Sequence, residues 1–324
     1  MASRLMTGQE DLDQKIDWDA ETSLGQELKL SIPSQPLTTS PSTTKRVLLT
    51  GAFGFLGKAI LQDLVNNAQV SEIHCVAIRQ PPNLPPRKSP ITSPKIHIYA
   101  GDLSLPRFGL SETEFNMIST SITTIIHNGA EVSFMKSYHS LSAVNVNATR
   151  EILKFSLPNR AHIHFVSTGG VADILGPDNE LMEVPVPESL TPDSSRVWIH
   201  RPMYIIGDEA PSTDLVNAIL KFSVKMKRVP DLSHWKGSFD LVSVENVAAG
   251  IVHAAVDGEG EDGKVVVKHE AGDFMVSCSG LGEHILKEYG VECEVVGFGE
   301  WIRAAEESKL LGISHPYETI NTTM

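Results

Sequence analysis

No stretch of this chain stays apolar for the roughly 18 residues that a membrane helix needs. The polar start, MASRLMTGQEDLDQ, does not read as a signal peptide either. Basic residues are scarce: 27 Lys and Arg against 40 Asp and Glu leave a net charge of −13. That argues against nucleic acid as a partner, which needs a basic face. Only three cysteines occur, Cys75, Cys278 and Cys293, without paired spacing. A disulfide framework is therefore not expected, which fits a reducing compartment. The twelve histidines show no ligand spacing with cysteines or carboxylates, so no metal is expected. Together these absences predict a soluble, cytoplasmic protein without membrane or nucleic-acid partners.

What is present suits a nucleotide-binding α/β protein. Hydrophobic residues make up 41% of the 324, enough to bury a core. Residues 1–44 read as a disordered or linker arm, because SIPSQPLTTSPSTT has too few large apolar side chains to offset its chain entropy. Folded structure is expected from KRVLLTGAFGFLG onward. Val47, Leu48 and Leu49 form a short apolar run ending in glycines, the pattern of a strand buried on both faces. GKAILQDLVNN reads as a helix, EIHCVAIR as a second strand, and PPNLPPRKSPITSP as a proline-rich loop. KIHIYAGDL, TTIIHNGA and HIHFVST read as further strands, with LSAVNVNATREILKFSL a helix between the last two. VWIHRPMYIIG and GSFDLVSV are strand candidates, and VENVAAGIVHAAV and FGEWIRAAEESKLLG are helix candidates. Strands alternating with helices predict a Rossmann-like, doubly wound parallel sheet. The domain is expected over residues 45–256, with a small C-terminal α/β substrate lobe over 257–324 that takes in part of 200–240.

TGAFGFLG, between a strand and a helix, points to a dinucleotide. Gly51, Gly54 and Gly57 let backbone approach a pyrophosphate, and the helix N-terminus favours its charge. Thr50, Phe55 and Leu56 complete that turn. At the end of the second strand an NAD-binding chain usually carries an acidic residue for the ribose hydroxyl. This chain has Arg79, with Arg87 and Lys88 in the loop beyond. A guanidinium suits a 2′-phosphate, so NADP(H) is favoured over NAD; a solvated strand end is the less favoured alternative. Asp102 and Leu103 end the third strand, where Asp102 could accept from the adenine amine. Asn128, Gly129 and Ala130 end the fourth, where small residues could admit the cofactor. Both are also plausible as ordinary loops, but ligands bind such sheets at strand C-termini.

VLLTGAFGFLGKAIL, GDL, IIHNGAEVSF, NVNATREIL, HFVSTGGVA, IHRPMYIIGD, MKRVPDL and FDLVSVENVA together resemble the extended short-chain dehydrogenase/reductases. More narrowly, they resemble the thioester reductase-type release domain that ends fungal polyketide–nonribosomal peptide hybrid synthetases. IDWDAETSL is similar to the linker joining such a domain to its carrier protein. The resemblance implies a Rossmann-like fold and NADPH-dependent reduction of a carrier-bound acyl thioester to an aldehyde or alcohol. A second group of the family implies non-redox release by Dieckmann cyclisation. No carrier domain is visible, so the expectation is action in trans on a carrier-bound or small-molecule substrate, with a synthetase as partner.

The family's catalytic set is Ser/Thr, Tyr and Lys. Ser167 and Thr168 in FVSTGG match the first member. The other two form Tyr-x-x-x-Lys, whose spacing puts both side chains on one helix face. The tyrosines here are Tyr99, Tyr138, Tyr204, Tyr289 and Tyr317, and four residues on stand Leu103, Ser142, Asp208, Cys293 and Asn321. None is lysine. The stretch GGVADILGPDNELMEVPVPESLTPDSSR holds four prolines and no helical period, and the resemblance resumes at Arg196 as though a helix had been cut out. A splicing or gene-model fault, a shortened protein with non-redox or binding function, and an inactive relic are the three origins. The chain as written is expected to have little reductase activity. Cofactor-free release, or a non-catalytic module that binds nucleotide or docks on a carrier, are the alternatives.

Among the remaining candidates, His200 and Arg201 could line the substrate pocket, or simply finish a strand. Asp208 and Glu209 could serve as a base, though a solvated loop is the plainer reading. Cys75 reads as core, Trp235 and Trp301 as packing in the lobe. Asn145 and Asn147 are expected to contact backbone near the active site.

Overall fold

The computed structural model describes residues 16–23, 44–80, 83, 85–133, 136–170, 196–211, 213–258, 265–270, 272–308 and 310. The first six strands are β1 (Lys45–Thr50), β2 (Val70–Ile78), β3 (Ile96–Ala100), β4 (Thr124–His127), β5 (His162–Val166) and β6 (Val197–Pro202). Then come β7 (Tyr204–Ile206), β8 (Arg228–Pro230), β9 (Ser238–Ser243), β10 (Val265–Glu270), β11 (Phe274–Ser277) and β12 (Glu294–Val296). The helices are α1 (Trp18–Thr22), α2 (Phe55–Asn66), α3 (Glu112–Ser121), α4 (Tyr138–Ser156), α5 (Leu215–Met226), α6 (Val244–Asp257), α7 (Leu281–Tyr289) and α8 (Phe298–Glu307).

The chain divides into two compact units. One comprises Gly8–Pro202 and Glu245–Glu270. Its seven strands are all parallel, in the order β10-β6-β5-β4-β1-β2-β3. Val47, Leu48 and Leu49 of β1 are fully buried, as their unbroken apolar run predicts. Strand order reverses between β1 and β4, and in such sheets ligands bind at the carboxyl ends beside that reversal. On one face, Ile118 of α3 and Ile152 and Phe155 of α4 join Leu48, Val76 and Ile125 in a single core. α3 starts at a reciprocal cap: Ser111 accepts from the Glu114 amide while Glu114 accepts from the Ser111 amide.

The second unit, the lobe, is built from Met203–Val244 and the chain from Ala271 onward. It holds a three-stranded sheet, β11-β9-β7, and a two-stranded one, β12-β8. Its core gathers Phe222, Leu241, Ile285 and the fully buried Trp301. The Trp301 indole donates to Ser223 Oγ at 3.0 Å and to the Arg228 carbonyl at 3.1 Å. Trp235 packs against the same core. Both tryptophans therefore serve packing.

Three expectations change in detail. The arm read through residue 44 contains α1, which Asp17 caps. Trp18 meets the Tyr138 ring edge-on at 4.9 Å, and Arg150 donates to the Glu21 carbonyl at 2.5 Å. The lobe expected over 257–324 with part of 200–240 does draw on 203–244, but it loses β10, which adds to the large sheet. The run VWIHRPMYIIG is two strands, β6 and β7, which lie in different sheets. Residues 171–195, where the family's Tyr-x-x-x-Lys helix was sought, lie outside the described residues.

Candidate functional site at the strand switch point

The turn after β1 needs its glycines. Gly51 has φ +66°, and a Cβ there would lie 2.8 Å from Gly129 Cα. A Cβ on Gly57 would stand 1.9 Å from the Gly51 carbonyl oxygen. Gly54 is the N-cap of α2 and supplies no side-chain cap. The amides of Phe55, Leu56 and Gly57 open that helix without intrahelical acceptors. Their dipoles make a favourable place for an anion. The cradle is thus free of Cβ atoms where a pyrophosphate would have to come close, and the residues present fit a dinucleotide.

A buried polar latch holds the two strand ends together. Thr50 pairs in register with His127. The Gly129 amide donates to Thr50 Oγ1 at 2.9 Å, and Thr50 Oγ1 lies 2.8 Å from His127 Nδ1. Both bonds are satisfied when the hydroxyl donates to Nδ1 and the ring carries its proton on Nε2. Burial holds the His127 pKa down at about 4, so the ring is neutral at pH 7. The Gly129 amide is consumed inside the protein, so what Gly129 contributes is close approach. Asn128 Nδ2 reaches the Gly51 carbonyl at 3.4 Å. Beyond exposed Ala130, the Asn145 side chain bonds both the amide and the carbonyl of Glu131, at 2.9 and 3.0 Å. Asn145 thereby clamps the loop from the strand-end, as expected. Asn147 instead accepts from Arg150 at 2.7 Å.

Arg79 and Asp102 face each other at the ends of β2 and β3. Arg79 Nε pairs with Asp102 Oδ2, and the Arg79 side chain is 60% exposed. Asp102 also accepts from Ser104 through its amide at 2.9 Å and its hydroxyl at 2.7 Å. Burial pushes the Asp102 carboxyl up, but the bonds from Arg79 and Ser104 outweigh it and hold the carboxyl below its usual range. Gly101 is needed because a Cβ there would sit 1.9 Å from the Phe108 carbonyl oxygen. Leu103 lies against Gly129, its Cδ1 2.9 Å from where a Gly129 Cβ would be. Past β2, the chain folds back so that the Arg87 guanidinium sits 5.9 Å over the Phe53 ring. That places a second cation beside the glycine turn; Lys88 is exposed on the same loop.

Ser167 and Thr168 follow β5 directly. The Ser167 amide donates to the His200 carbonyl at 2.8 Å. Ser167 is half-buried; Thr168 is exposed, and its hydroxyl accepts from the Gly170 amide at 3.2 Å.

His200 needs a correction. It is fully buried, with Nδ1 2.9 Å from Glu270 Oε1 and Nε2 3.0 Å from His164 Nδ1. Alternation on β6 turns it to a face of the sheet that is covered, so it does not line an open pocket. Arg201, its half-buried neighbour, lies opposite His269 of β10. Asp208 and Glu209 are exposed. Cys75 is fully buried, and burial pushes its thiol up to about 12, so it is core. Residue-type reasoning overlooked His127, His164 and Glu270. Histidines at alternating positions of otherwise apolar strands were the available signal.

Among the described residues no three His, Cys, Asp or Glu side chains gather as metal ligands, and no helix is long and apolar enough to cross a membrane.

A seven-stranded parallel sheet with its glycine cradle at the switch point defines a Rossmann-like nucleotide-binding domain. Residues 49–190 match the NAD-binding family described as "Male sterility protein". The hybrid PKS-NRPS synthetase LUC5 of a Fusarium species is 38% identical over 319 residues, 91% of this chain and 8% of that protein. Fusarin C synthetase of Gibberella fujikuroi is 37% identical over 322 residues, 92% of this chain and 8% of that protein. The chain thus spans about 8% of the length of these curated relatives. The terminal R domain from the myxalamid PKS-NRPS pathway superposes with a TM-score of 0.66 at 25% identity, covering 90% of this chain and 81% of that one. The PhqB reductase domain from Penicillium fellutanum shares the fold, with a TM-score of 0.62 at 21% identity over 90% of this chain and 83% of that one. The chain is similar to the reductase-type domains of PKS-NRPS synthetases, and the matched NAD-binding family points to a nicotinamide dinucleotide as the cofactor class.

Proposed function

We propose that the sheet unit binds NADPH across the β1/β4 switch point and receives an acyl thioester carried by a synthetase carrier domain. The observation that carries this reading is the Cβ-free cradle of Gly51, Gly57 and Gly129, backed by relatives that are PKS-NRPS synthetases. Thr50, Gly54, Phe55, Leu56 and Asn128 shape the pyrophosphate and nicotinamide side, with Ala130 at the strand end. Arg79 takes the 2′-phosphate, because its guanidinium offers paired donors to phosphate oxygens, and Arg87 over Phe53 adds positive charge at the glycine turn. Asp102 and Leu103 flank the adenine; with Asp102 engaged by Arg79, its first role is to aim that guanidinium.

NADPH, when bound, supplies a hydride. Ser167 or Thr168 would orient the acyl carbonyl by donating a hydroxyl hydrogen bond. Arg201 would face the acyl or pantetheine end. Hydride addition to a carbonyl also needs a proton for the developing oxyanion, and no Tyr-x-x-x-Lys exists in this sequence to deliver one. Reduction is therefore slow in the chain as written. That same absence favours a second reading, cofactor-independent cyclising release.

The test is to incubate the protein with an acyl-pantetheine thioester, with and without NADPH, and to weigh the products. An aldehyde or alcohol formed only with NADPH supports reduction. A cyclised product formed without nicotinamide supports the second reading. Tight NADPH binding with no product leaves a nucleotide-binding module.

A further inference from the structure

Three strands are joined on one face of the large sheet by a buried chain of side chains. His164 of β5, His200 of β6 and Glu270 of β10 are linked at 3.0 and 2.9 Å, and all three are buried. Trp198 lies flat on the His164 ring, with centroids 4.4 Å apart and planes 8° from parallel. From α6, Gly250 closes over the carboxylate: a Cβ there would lie 2.7 Å from Glu270 Oε2. Lys268 Nζ stands 3.3 Å from Glu270 Oε1 and donates to the Gly250 carbonyl at 3.3 Å. Such a chain is costly to break, because a buried polar group left without its partner loses its full solvation.

His200 is fixed at three points. Its ring bonds His164 and Glu270, and its carbonyl accepts from the Ser167 amide at 2.8 Å. β6 meets β5 over only four register pairs, Ile163↔Val197 to Val166↔His200, and Ser167 follows the last of them. We infer that His200 is a positioning residue for Ser167: the His164–His200–Glu270 chain sets where β6 holds the Ser167 backbone, and so where its hydroxyl meets the acyl carbonyl. This rests on the proposed reading of Ser167 as a carbonyl-orienting group.

The test is residue-resolved amide exchange in the full chain, which needs no substrate. Glu270→Leu removes the far end of the chain, two strands from Ser167. The Ser167 amide is expected to exchange at least about tenfold faster, while the Val47–Leu49 amides of β1 change less than about threefold, the pattern of a local opening. Glu270→Gln keeps an oxygen acceptor for His200 Nδ1 and is expected to stay near wild type. His200→Asn keeps a donor toward Glu270 but loses His164, and is expected to fall between; it serves should the leucine variant not fold. An unchanged Ser167 amide in a folded variant overturns the inference. So does a rise shared equally by Ser167 and β1. Where the wild type turns over thioester, kcat falls about tenfold in a folded Glu270→Leu variant, and hardly at all in Glu270→Gln, with KM for NADPH unchanged. Absent NADPH binding by the wild type counts against the proposed function alone, and the exchange data still decide the role of His200.

Discussion

Gly51 and Gly129 meet backbone to backbone at the switch point, so close that a Cβ on Gly51 would stand 2.8 Å from Gly129 Cα. Close approach, and not side-chain chemistry, therefore shapes the cofactor cradle. Gly57→Ala is expected to abolish NADPH binding and to destabilise the protein by about 1–3 kcal/mol, since its methyl would collide with the Gly51 carbonyl. Gly54→Asp, which leaves more room but puts a negative charge at the helix start, is expected to lose cofactor binding with a smaller cost in stability. Fluorescence titration with NADPH, beside denaturant unfolding, separates the two effects.

Arg79 is exposed yet held by Asp102, so it is aimed while still open to a ligand. Arg79→Ala is expected to weaken NADPH about tenfold to a hundredfold and NADH hardly at all, the loss of a charge-assisted bond to phosphate. Asp102→Asn keeps the shape but drops the charge; it is expected to weaken both cofactors mildly, and NADPH more. Equal losses for the two cofactors in Arg79→Ala would show that no 2′-phosphate sits there.

The buried latch gives stability a pH dependence. The folded His127 pKa lies at about 4, against the ordinary 6.5. Between those values the unfolded chain binds the extra proton, so stability rises with pH. The contribution is complete above about pH 6.5 and is lost as pH falls toward about 4, a change of about 3 kcal/mol. Asp102 and Glu270, both held below their usual range, change stability in the same direction at still lower pH. His127→Gln is expected to lower stability at pH 7.5 and to flatten the slope between pH 4.5 and 6.5. A slope unchanged in that variant would show that His127 is not the group being titrated.

Two hydroxyls end β5, and they differ in setting. Thr168 is exposed, with its lone pair engaged by Gly170. Thr168→Ala is expected to lower any thioester turnover strongly and to leave NADPH affinity unchanged. Ser167→Ala tests the alternative carbonyl partner by the same assay. Even in the wild type, NADPH oxidation with an acyl thioester is expected to run close to background. A rate of about 1 per second, ordinary for enzymes, would show that a proton donor exists outside the Tyr-x-x-x-Lys pattern.

Much of the large sheet was legible in the sequence because its signals are local. The run of Val47, Leu48 and Leu49 ending at Gly51 fixes strand, turn and helix in one stretch. The positions of Asp102 and Asn128–Ala130 just past strand C-termini were legible because each follows a short apolar strand run. The His127 latch and the His164–His200–Glu270 chain were not, because each joins residues 36–77 positions apart. Only strand pairing brings them together, and residue type alone cannot reveal it. β10 was also missed, although Val265–Val267 is a short apolar run. It adds a seventh strand beside β6 after the chain has already built part of the lobe. The weakly apolar lobe strands β8 and β12 have three residues each, too few for a period to show.

The most direct measurement is an equilibrium titration of the full chain with NADPH and, separately, NADH. The cradle and Arg79 predict saturable binding of both, with NADPH tighter by at least about tenfold. Absence of saturable binding by either cofactor would contradict the nucleotide site itself, and tighter binding of NADH would contradict the role given to Arg79.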